Sequence, residues 1–307
     1  MKTSEQRSIR ARRNGENTWL QSGTADELPL APVAKFEYEV LESEKKVGQA
    51  MLDELIDYAS KKDGDIVIVL LGGRGAQAMY RIIAQRAKGG DLDDLLPRLH
   101  VFTQDALAPM RMENGLSFVR DFERLLGPAF FEKVKSFTPM RTDAEDLEGE
   151  FVKYLERLDS LGGIDIFFLG LGPEAEAASH ICYIKPGSGA RFNDLGGLIP
   201  ISSSILEHHI KKFKVGGSEV SPADEEECRR ATHILTLGPA AILGAKKIVQ
   251  SIVDASTAPA KRESFARFVS TTFSDHGSWL ERQLDENPGL WIRLNPNVKS
   301  FVLPDLL

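Results

Sequence analysis

The chain has 307 residues, of which 42% are hydrophobic and 27% are charged, and its formal net charge is −7. This length and composition suit a soluble α/β protein made of one large domain or two smaller ones. The negative charge argues against a nucleic-acid partner, and no apolar run reaches the roughly 18 residues of a membrane span.

Residues 1–34 are polar and rich in arginine, and two prolines interrupt their end. They predict an N-terminal extension, ordered where Trp19 and Leu20 find a surface, followed by a single domain of residues 35–307. The extension lacks the apolar segment of a secretory signal. The two cysteines form neither a disulfide framework nor a metal-ligand spacing, so a cytoplasmic location without a metal site is predicted.

The most informative segment is an unbroken run of β-branched and leucine residues at 66–71. Such a run is typical of a strand buried on both faces of a parallel sheet. A glycine-rich turn follows, formed by Gly72, Gly73, Arg74 and Gly75. A glycine turn that leads into a helix presents backbone N–H groups to a phosphate or another anion, and an arginine there adds a charged contact. The alternative is an ordinary turn that uses glycine for its backbone angles.

Strands alternate with helices along the rest of the chain. Further strands are predicted at residues 99–103, 164–169, 197–201, 232–237, 247–253 and 299–303. Helices are predicted at residues 43–61, 76–84, 116–126, 144–161, 221–231 and from 256 onward. This alternation predicts a mainly parallel α/β sheet with helices on both faces, which binds ligands beyond the carboxyl ends of its strands.

Asp105 and His180 each lie near the carboxyl end of a predicted strand, so they are candidates for an acid/base pair. Asp105 precedes a segment predicted to be irregular, residues 106–115, and acts either as a general base or as the cap of a turn. His180 lies among small and apolar residues, which suits either a catalytic or a structural histidine. The glycines at 170 and 172 lack the third glycine of a dinucleotide site, so no NAD is predicted.

Lys261 lies in the first turn of a predicted helix, where its charge opposes the helix dipole. This disadvantage favours a functional role for Lys261, such as holding an anion. A second basic group, His208 and His209 with Lys211 and Lys212, forms either a binding face or a solvated surface.

In their order and spacing, these landmarks between residues 35 and 307 resemble the glucosamine-6-phosphate deaminase and 6-phosphogluconolactonase superfamily. The glycine turn resembles the phosphate loop of that family. Residues 102–106 resemble its strand that ends in an acidic pair, and residues 170–180 resemble its glycine-rich segment that ends in histidine. The resemblance implies a Rossmann-like fold, a sugar phosphate as the ligand and no cofactor or metal, and it allows a homo-oligomer.

The resemblance also implies roles for individual residues. Asp105 would move a proton between C2 and C1 of an open-chain sugar phosphate, and His180 would assist ring opening. The phosphate would be held by Gly72, Gly73, Arg74, Gly75 and Lys261. Fixed phosphate contacts of this kind orient the reacting carbons against the base.

Five positions depart from the family pattern, two of them in the phosphate loop, where Leu71 and Arg74 replace hydroxyl residues. Ala106 and Ala178 replace acids that adjoin the catalytic aspartate and histidine, and Lys185 replaces a glutamate beyond the histidine. Glu174 and Glu176 lie in the lengthened segment before the histidine. These departures leave three functions open: an amino-sugar-phosphate isomerase or deaminase, a 6-phosphogluconolactonase-like hydrolase, and a sugar-phosphate-binding or regulatory protein without turnover.

Overall fold

The computed structural model describes residues 9–22, 35–174 and 178–307. Its strands are β1 (Ile9–Asn14), β2 (Asn17–Ser22), β3 (Glu39–Val40), β4 (Ile66–Leu70), β5 (Leu99–Thr103), β6 (Asp105–Ala108), β7 (Ser136–Thr138), β8 (Ile166–Leu169), β9 (Gly172–Pro173), β10 (Ser179–His180), β11 (Asp194–Pro200), β12 (His233–Leu237), β13 (Lys247–Ile252) and β14 (Val298–Val302). Its α-helices are α1 (Glu44–Ser60), α2 (Gln77–Gly89), α3 (Phe118–Leu126), α4 (Pro128–Lys133), α5 (Leu147–Ser160), α6 (Ser203–Val215), α7 (Pro222–Cys228), α8 (Pro239–Gly244), α9 (Ala260–Ser270) and α10 (Gly277–Glu286). Within these described ranges, none of the helices combines the length and apolar character needed to cross a bilayer.

Seven of the described strands form a parallel sheet in the order β3-β14-β13-β8-β4-β5-β7. Every residue of β4 is buried. Ile66 and Ile68 face the core that contains α1 and α2, whereas Val67 and Val69 face the opposite core, which contains α5 and α9. The predicted parallel sheet with helices on both faces is therefore confirmed.

A second sheet, which the sequence did not predict, is antiparallel and has the order β1-β2-β11-β12-β6. Its buried residues belong to the same core as α5 and α9. The segment after Asp105, expected to be irregular, begins with strand β6, which pairs with β12. A strand of only four residues carries too little periodicity to be recognised from the sequence alone.

The hairpin formed by β1 and β2 lies within the segment assigned to the N-terminal extension. Its Trp19 and Leu20 are fully buried, and the Trp19 indole N–H donates to the Ser188 carbonyl oxygen at 3.1 Å. Because β2 pairs with β11, this hairpin extends the antiparallel sheet. The rest of the extension, residues 1–8 and 23–34, lies outside the described residues.

The two sheets meet at the carboxyl edge of the parallel sheet. The Gln104 backbone N–H donates to the Leu70 carbonyl at the end of β4, at 3.0 Å, and its carbonyl accepts from the Leu237 N–H at the end of β12, at 2.9 Å. Asp105 follows at once as the first residue of β6. Asp105 therefore lies where the chain passes from the parallel to the antiparallel sheet, at the edge where ligands of such folds bind.

Candidate active site

A cleft of about 600 Å³ opens at this edge, a size within the range of small-molecule sites. Every site residue that the sequence predicted lines it: Gly72, Gly73, Arg74, Gly75, Asp105, His180 and Lys261. The structure therefore brings these residues together in one place.

The glycine turn connects β4 to α2 through a short 3-10 turn at Arg74–Ala76. Gly73 has a φ of +77°, which favours glycine, and a Cβ at Gly72 would lie 2.3 Å from the Phe118 ring. The Arg74 guanidinium is not free, because its Nη2 lies 2.6 Å from Glu44 Oε1 in the first turn of α1. This ion pair, which no local sequence pattern indicates, competes with any anion for Arg74.

Two lysines share one buried carboxylate at the same end of the cleft. Lys261 Nζ lies 2.6 Å from Asp254 Oδ1, and Lys212 Nζ pairs with Asp254 Oδ2. Burial lowers the pKa of Lys261. Burial would raise the pKa of Asp254, but the charges of Lys261 and Lys212 hold it below its ordinary value. One carboxylate against two ammonium groups leaves a net positive charge here, which suits an anion.

The two adjacent histidines of α6 have separate environments. His208 lines the cleft, where burial and the charges of Lys212 and Lys261 lower its pKa to about 4. His209 Nε2–H donates to the Leu116 carbonyl at 2.7 Å, and its ring stacks on another aromatic ring in the core. Lys211 also lines the cleft. All four residues of this basic group therefore line the cleft, and the imidazole of His209 is in addition fixed by its contacts with Leu116 and the core.

Asp105 is 8% exposed, and its Oδ2 accepts a hydrogen bond from Gln104 Nε2 at 3.2 Å. Its Oδ1 is buried and has no hydrogen-bond partner among the described residues. This side chain accepts no hydrogen bond from a backbone N–H of the described residues. The structure therefore does not support the alternative that Asp105 caps a turn. Burial raises the pKa of Asp105 to about 6. A carboxylate poised in this way is ionised at neutral pH and is a stronger base than an exposed aspartate.

His180 pairs with the carboxylate of Glu174, which lies six residues earlier in the sequence. Its Nδ1 lies 3.2 Å from Glu174 Oε2, and the Ser202 hydroxyl donates to Glu174 Oε1 at 2.7 Å. Burial would raise the pKa of Glu174, but these hydrogen bonds and the nearby His180 hold it below its ordinary value. A carboxylate at Nδ1 favours the tautomer whose Nε2 is free to accept a proton. Glu176, the other acid of this segment, lies outside the described residues.

The pairing of β9 with β10 positions the His180 ring directly over Gly172. A Cβ on Gly172 would lie 2.0 Å from His180 Nε2. The Gly-Leu-Gly segment, which is too short for a dinucleotide site, thus serves to make room for the imidazole.

The charge reversal at Lys185 does not place an ammonium group in the cleft lining. Lys185 Nζ donates to the Pro200 carbonyl at 2.8 Å and lies 5.6 Å from the centre of the Tyr183 ring. In the described part of the chain, no three histidine, cysteine, aspartate or glutamate side chains cluster as metal ligands would. Cys182 and Cys228 are both buried free thiols.

The fold and this site define an α/β protein with a positively charged cleft that holds a buried carboxylate and a carboxylate-paired histidine. The glucosamine-6-phosphate deaminase of Halothermothrix orenii is 27% identical to it over 212 residues, which cover 67% of this chain and 78% of that enzyme. A glucosamine-6-phosphate deaminase of Thermoanaerobacter is 25% identical over 221 residues, or 71% of this chain and 79% of that enzyme. In sequence the chain is thus similar to glucosamine-6-phosphate deaminases, which supports the resemblance predicted from its motifs.

One further relative matches in sequence, and two solved structures share the fold. A glucosamine-6-phosphate deaminase-like protein of Bacteroides thetaiotaomicron is 34% identical over 127 residues, but the match spans only 17% of that longer protein. The structure of a monomeric glucosamine-6-phosphate deaminase aligns with a TM-score of 0.70 at 18% identity, over 88% of this chain and 98% of that one. The 6-phosphogluconolactonase of Thermotoga maritima aligns with a TM-score of 0.60 at 16% identity, over 87% of this chain and 98% of that one. No protein-family model matches the chain.

Proposed function

We propose that the chain is a sugar-phosphate isomerase or deaminase that acts on glucosamine 6-phosphate or a closely related amino-sugar phosphate. The observation that carries this proposal is Asp105: a buried carboxylate with a pKa of about 6, in the same cleft as a net positive charge. The first feature suits proton transfer and the second suits the phosphate. The names of the curated relatives support the same substrate class.

In this proposal, the phosphate lies against Lys212, Lys261 and the glycine turn. The lysines supply charge, and the turn supplies backbone N–H groups together with the positive end of the α2 dipole. Once the phosphate is fixed, C1 and C2 of the open chain are held against Asp105 and His180, which removes much of the entropic cost of reaction.

The chemistry then needs only proton transfers and water. His180 Nε2 takes the proton of the C1 hydroxyl and returns it to the ring oxygen, which opens the ring. Asp105 removes the C2 proton while the C1 oxygen takes a proton from water, and the Asp105 carboxyl then protonates C1. With an amine on C2 the product is the imine of a 2-ketose, and water adds to it as ammonia leaves. Without the amine the same steps interconvert an aldose and a ketose.

Two other functions share the same cleft. A 6-phosphogluconolactonase-like hydrolase would use His180 as the base on water, and the lactonases among the structural neighbours favour this alternative. A binding or regulatory protein would hold the sugar phosphate without turnover, which the alanines at 106 and 178 favour.

A thermal-shift screen against glucosamine 6-phosphate, glucose 6-phosphate and 6-phosphogluconate, followed by turnover assays, separates these functions. A ligand at 100 times its Kd stabilises the folded state by about 2.7 kcal/mol. Stabilisation with ammonia release supports the deaminase, and lactone hydrolysis without ammonia release replaces it with the hydrolase. Stabilisation without any turnover would leave a binding protein. If no sugar phosphate stabilises the chain, the proposed substrate class is wrong.

Glu174→Gln tests the orienting carboxylate. The substitution keeps the shape of the side chain but removes the charge that accepts from His180 Nδ1. We expect kcat/KM to fall by about 100-fold while the melting temperature changes little, because an acid of this kind fixes the tautomer of its histidine. The matched control is Glu150→Gln on α5, where the partly exposed acid pairs with Lys153. Equal activities in the two variants would remove Glu174 from the site.

Gly172→Ala tests the close approach of His180. The new methyl group forces the imidazole away from its position, and a displacement of about 1 Å costs on the order of 100-fold in rate. Steady-state kinetics measures this loss. Gly244→Ala in α8, where a Cβ meets nothing within 4 Å, is the matched control and should keep full activity. Unchanged turnover in Gly172→Ala would show that His180 is not held where it acts.

A further inference from the structure

Gln104 has a side chain for which the chemistry above assigns no role. It is 6% exposed and it lines the cleft beside Asp105. Its backbone is fixed on both sides, by Leu70 of the parallel sheet and Leu237 of the antiparallel sheet. These hydrogen bonds fix the Gln104 backbone at the junction of the two sheets, beside the cleft.

The hydrogen bonds of this side chain are only half satisfied. Gln104 Nε2 donates to Asp105 Oδ2 at 3.2 Å, whereas Gln104 Oε1 is buried and accepts no hydrogen bond from any described residue. The opposite orientation of the amide would place two oxygen acceptors against each other, so the carboxylate itself fixes the direction of the amide.

Two acceptor atoms are thus left unpaired in one place. Of the buried polar side-chain atoms that lack a partner in the described chain, only Gln104 Oε1 and Asp105 Oδ1 belong to residues that line the cleft. Buried acceptors without donors cost free energy, which a bound molecule recovers only if it brings N–H or O–H groups.

We infer that Gln104 is a specificity-determining residue, which accepts a hydrogen bond from a donor group at the reacting end of the substrate while its amide N–H holds Asp105. This inference rests on the proposed function and narrows its substrate class. The site fits a sugar phosphate with an amine or hydroxyl at the carbon that reacts. A lactone, whose reacting carbon carries only oxygen acceptors, leaves both unpaired oxygens unsatisfied.

The decisive experiment compares two ligands that cannot react. The open-chain alcohols 2-amino-2-deoxyglucitol 6-phosphate and 2-deoxyglucitol 6-phosphate differ only by the amine at C2. We expect the native protein to bind the amine the more tightly, by about 10- to 100-fold, since the hydrogen bonds involve charged groups. In Gln104→Met, which keeps the length of the side chain but has no amide, this ratio of Kd values should fall about tenfold.

The control is Gln49→Met, the same substitution on α1 outside the cleft, which should keep the native ratio; Gln49 contacts Asp53 of the same helix. Ligand-free melting curves show that each variant is folded, and Gln104→Leu is a second apolar variant should methionine pack badly. Removing the amide donor also raises the pKa of Asp105. In a plot of turnover rate against pH, the acid limb should therefore move to higher pH. A purely structural glutamine would leave this limb in place.

The outcomes separate the two proposals. If the native protein binds neither alcohol, the proposed function fails. If it binds both alcohols and the Gln104 variants keep the native ratio, only the role of Gln104 is overturned. A reduced ratio in these variants, together with the native ratio in Gln49→Met, supports Gln104 as the residue that recognises the donor.

Discussion

Asp105→Asn should lower turnover by about 10³-fold and at the same time stabilise the protein. The folded-state pKa of Asp105 is about 6, against an ordinary value of 3.8, so the ionised carboxylate is disfavoured in the folded state. Each pKa unit corresponds to 1.36 kcal/mol, which gives a cost of up to about 3 kcal/mol. This cost is fully present above pH 6 and is lost as the pH falls through 6 towards 3.8, because the folded state takes up its proton near pH 6 whereas the unfolded state does so only near 3.8.

The expected result is therefore a free energy of unfolding that rises by about 2–3 kcal/mol at pH 8 and hardly at all at pH 3.5. Loss of the general base should lower kcat by about 10³-fold. Urea denaturation at both pH values and a turnover assay measure the two effects. A less stable variant at pH 8 would contradict the strained carboxylate, and a fully active one would contradict its role as base.

Asp165→Asn is the matched control, and we expect it to change the free energy of unfolding in the opposite direction. Asp165 is also buried, at the amino end of β8, but it pairs with Lys62 and Lys246. Burial would raise the pKa of Asp165, but these two lysines hold it below its ordinary value. Its ionised form is thus favoured in the folded state, so Asp165→Asn should destabilise the protein at neutral pH. These two buried aspartates then distinguish a functional carboxylate from a structural one.

The parallel sheet was predictable because its strands are buried on both faces. A strand such as β4 can contain only apolar residues, and that restriction is visible in the sequence without any neighbour. The antiparallel sheet was harder to predict from the sequence. Its outer hairpin is rich in arginine, and β6 has only four residues, so neither shows a clear period.

The candidate site was predictable in position but not in its pairings. The ends of the parallel strands pointed to the glycine turn and to Asp105, since parallel strands place their carboxyl ends at one edge. The contact of Glu174 with His180 depends on the pairing of β9 with β10, two strands of two residues each. The approach of Lys212 to Asp254 depends on the packing of α6, a helix that the sequence pattern did not identify. Both contacts are tertiary and have no local signal.

Lys261→Met should weaken sugar-phosphate binding and also destabilise the protein, and the two effects can be separated. Loss of the ammonium group removes a charge-assisted contact, so we expect the Kd for a sugar phosphate to rise by about 10- to 100-fold. The same substitution leaves the buried Asp254 with Lys212 alone, which should cost about 1–3 kcal/mol of stability. Titration calorimetry and urea denaturation measure the two quantities.

The double variant Lys261→Met/Asp254→Asn separates binding from stability. The asparagine that replaces Asp254 is neutral, and asparagine tolerates the φ of +65° found at this position, so the double variant should regain most of the lost stability. It should not regain affinity, because the phosphate end of the cleft still lacks the Lys261 charge. Lys247→Met, which breaks the buried pair with Glu54 at the other end of β13, should lower stability without changing the Kd. Native affinity in Lys261→Met would place the phosphate elsewhere in the cleft, whereas recovery of affinity in the double variant would show that Lys261 acts only by neutralising Asp254.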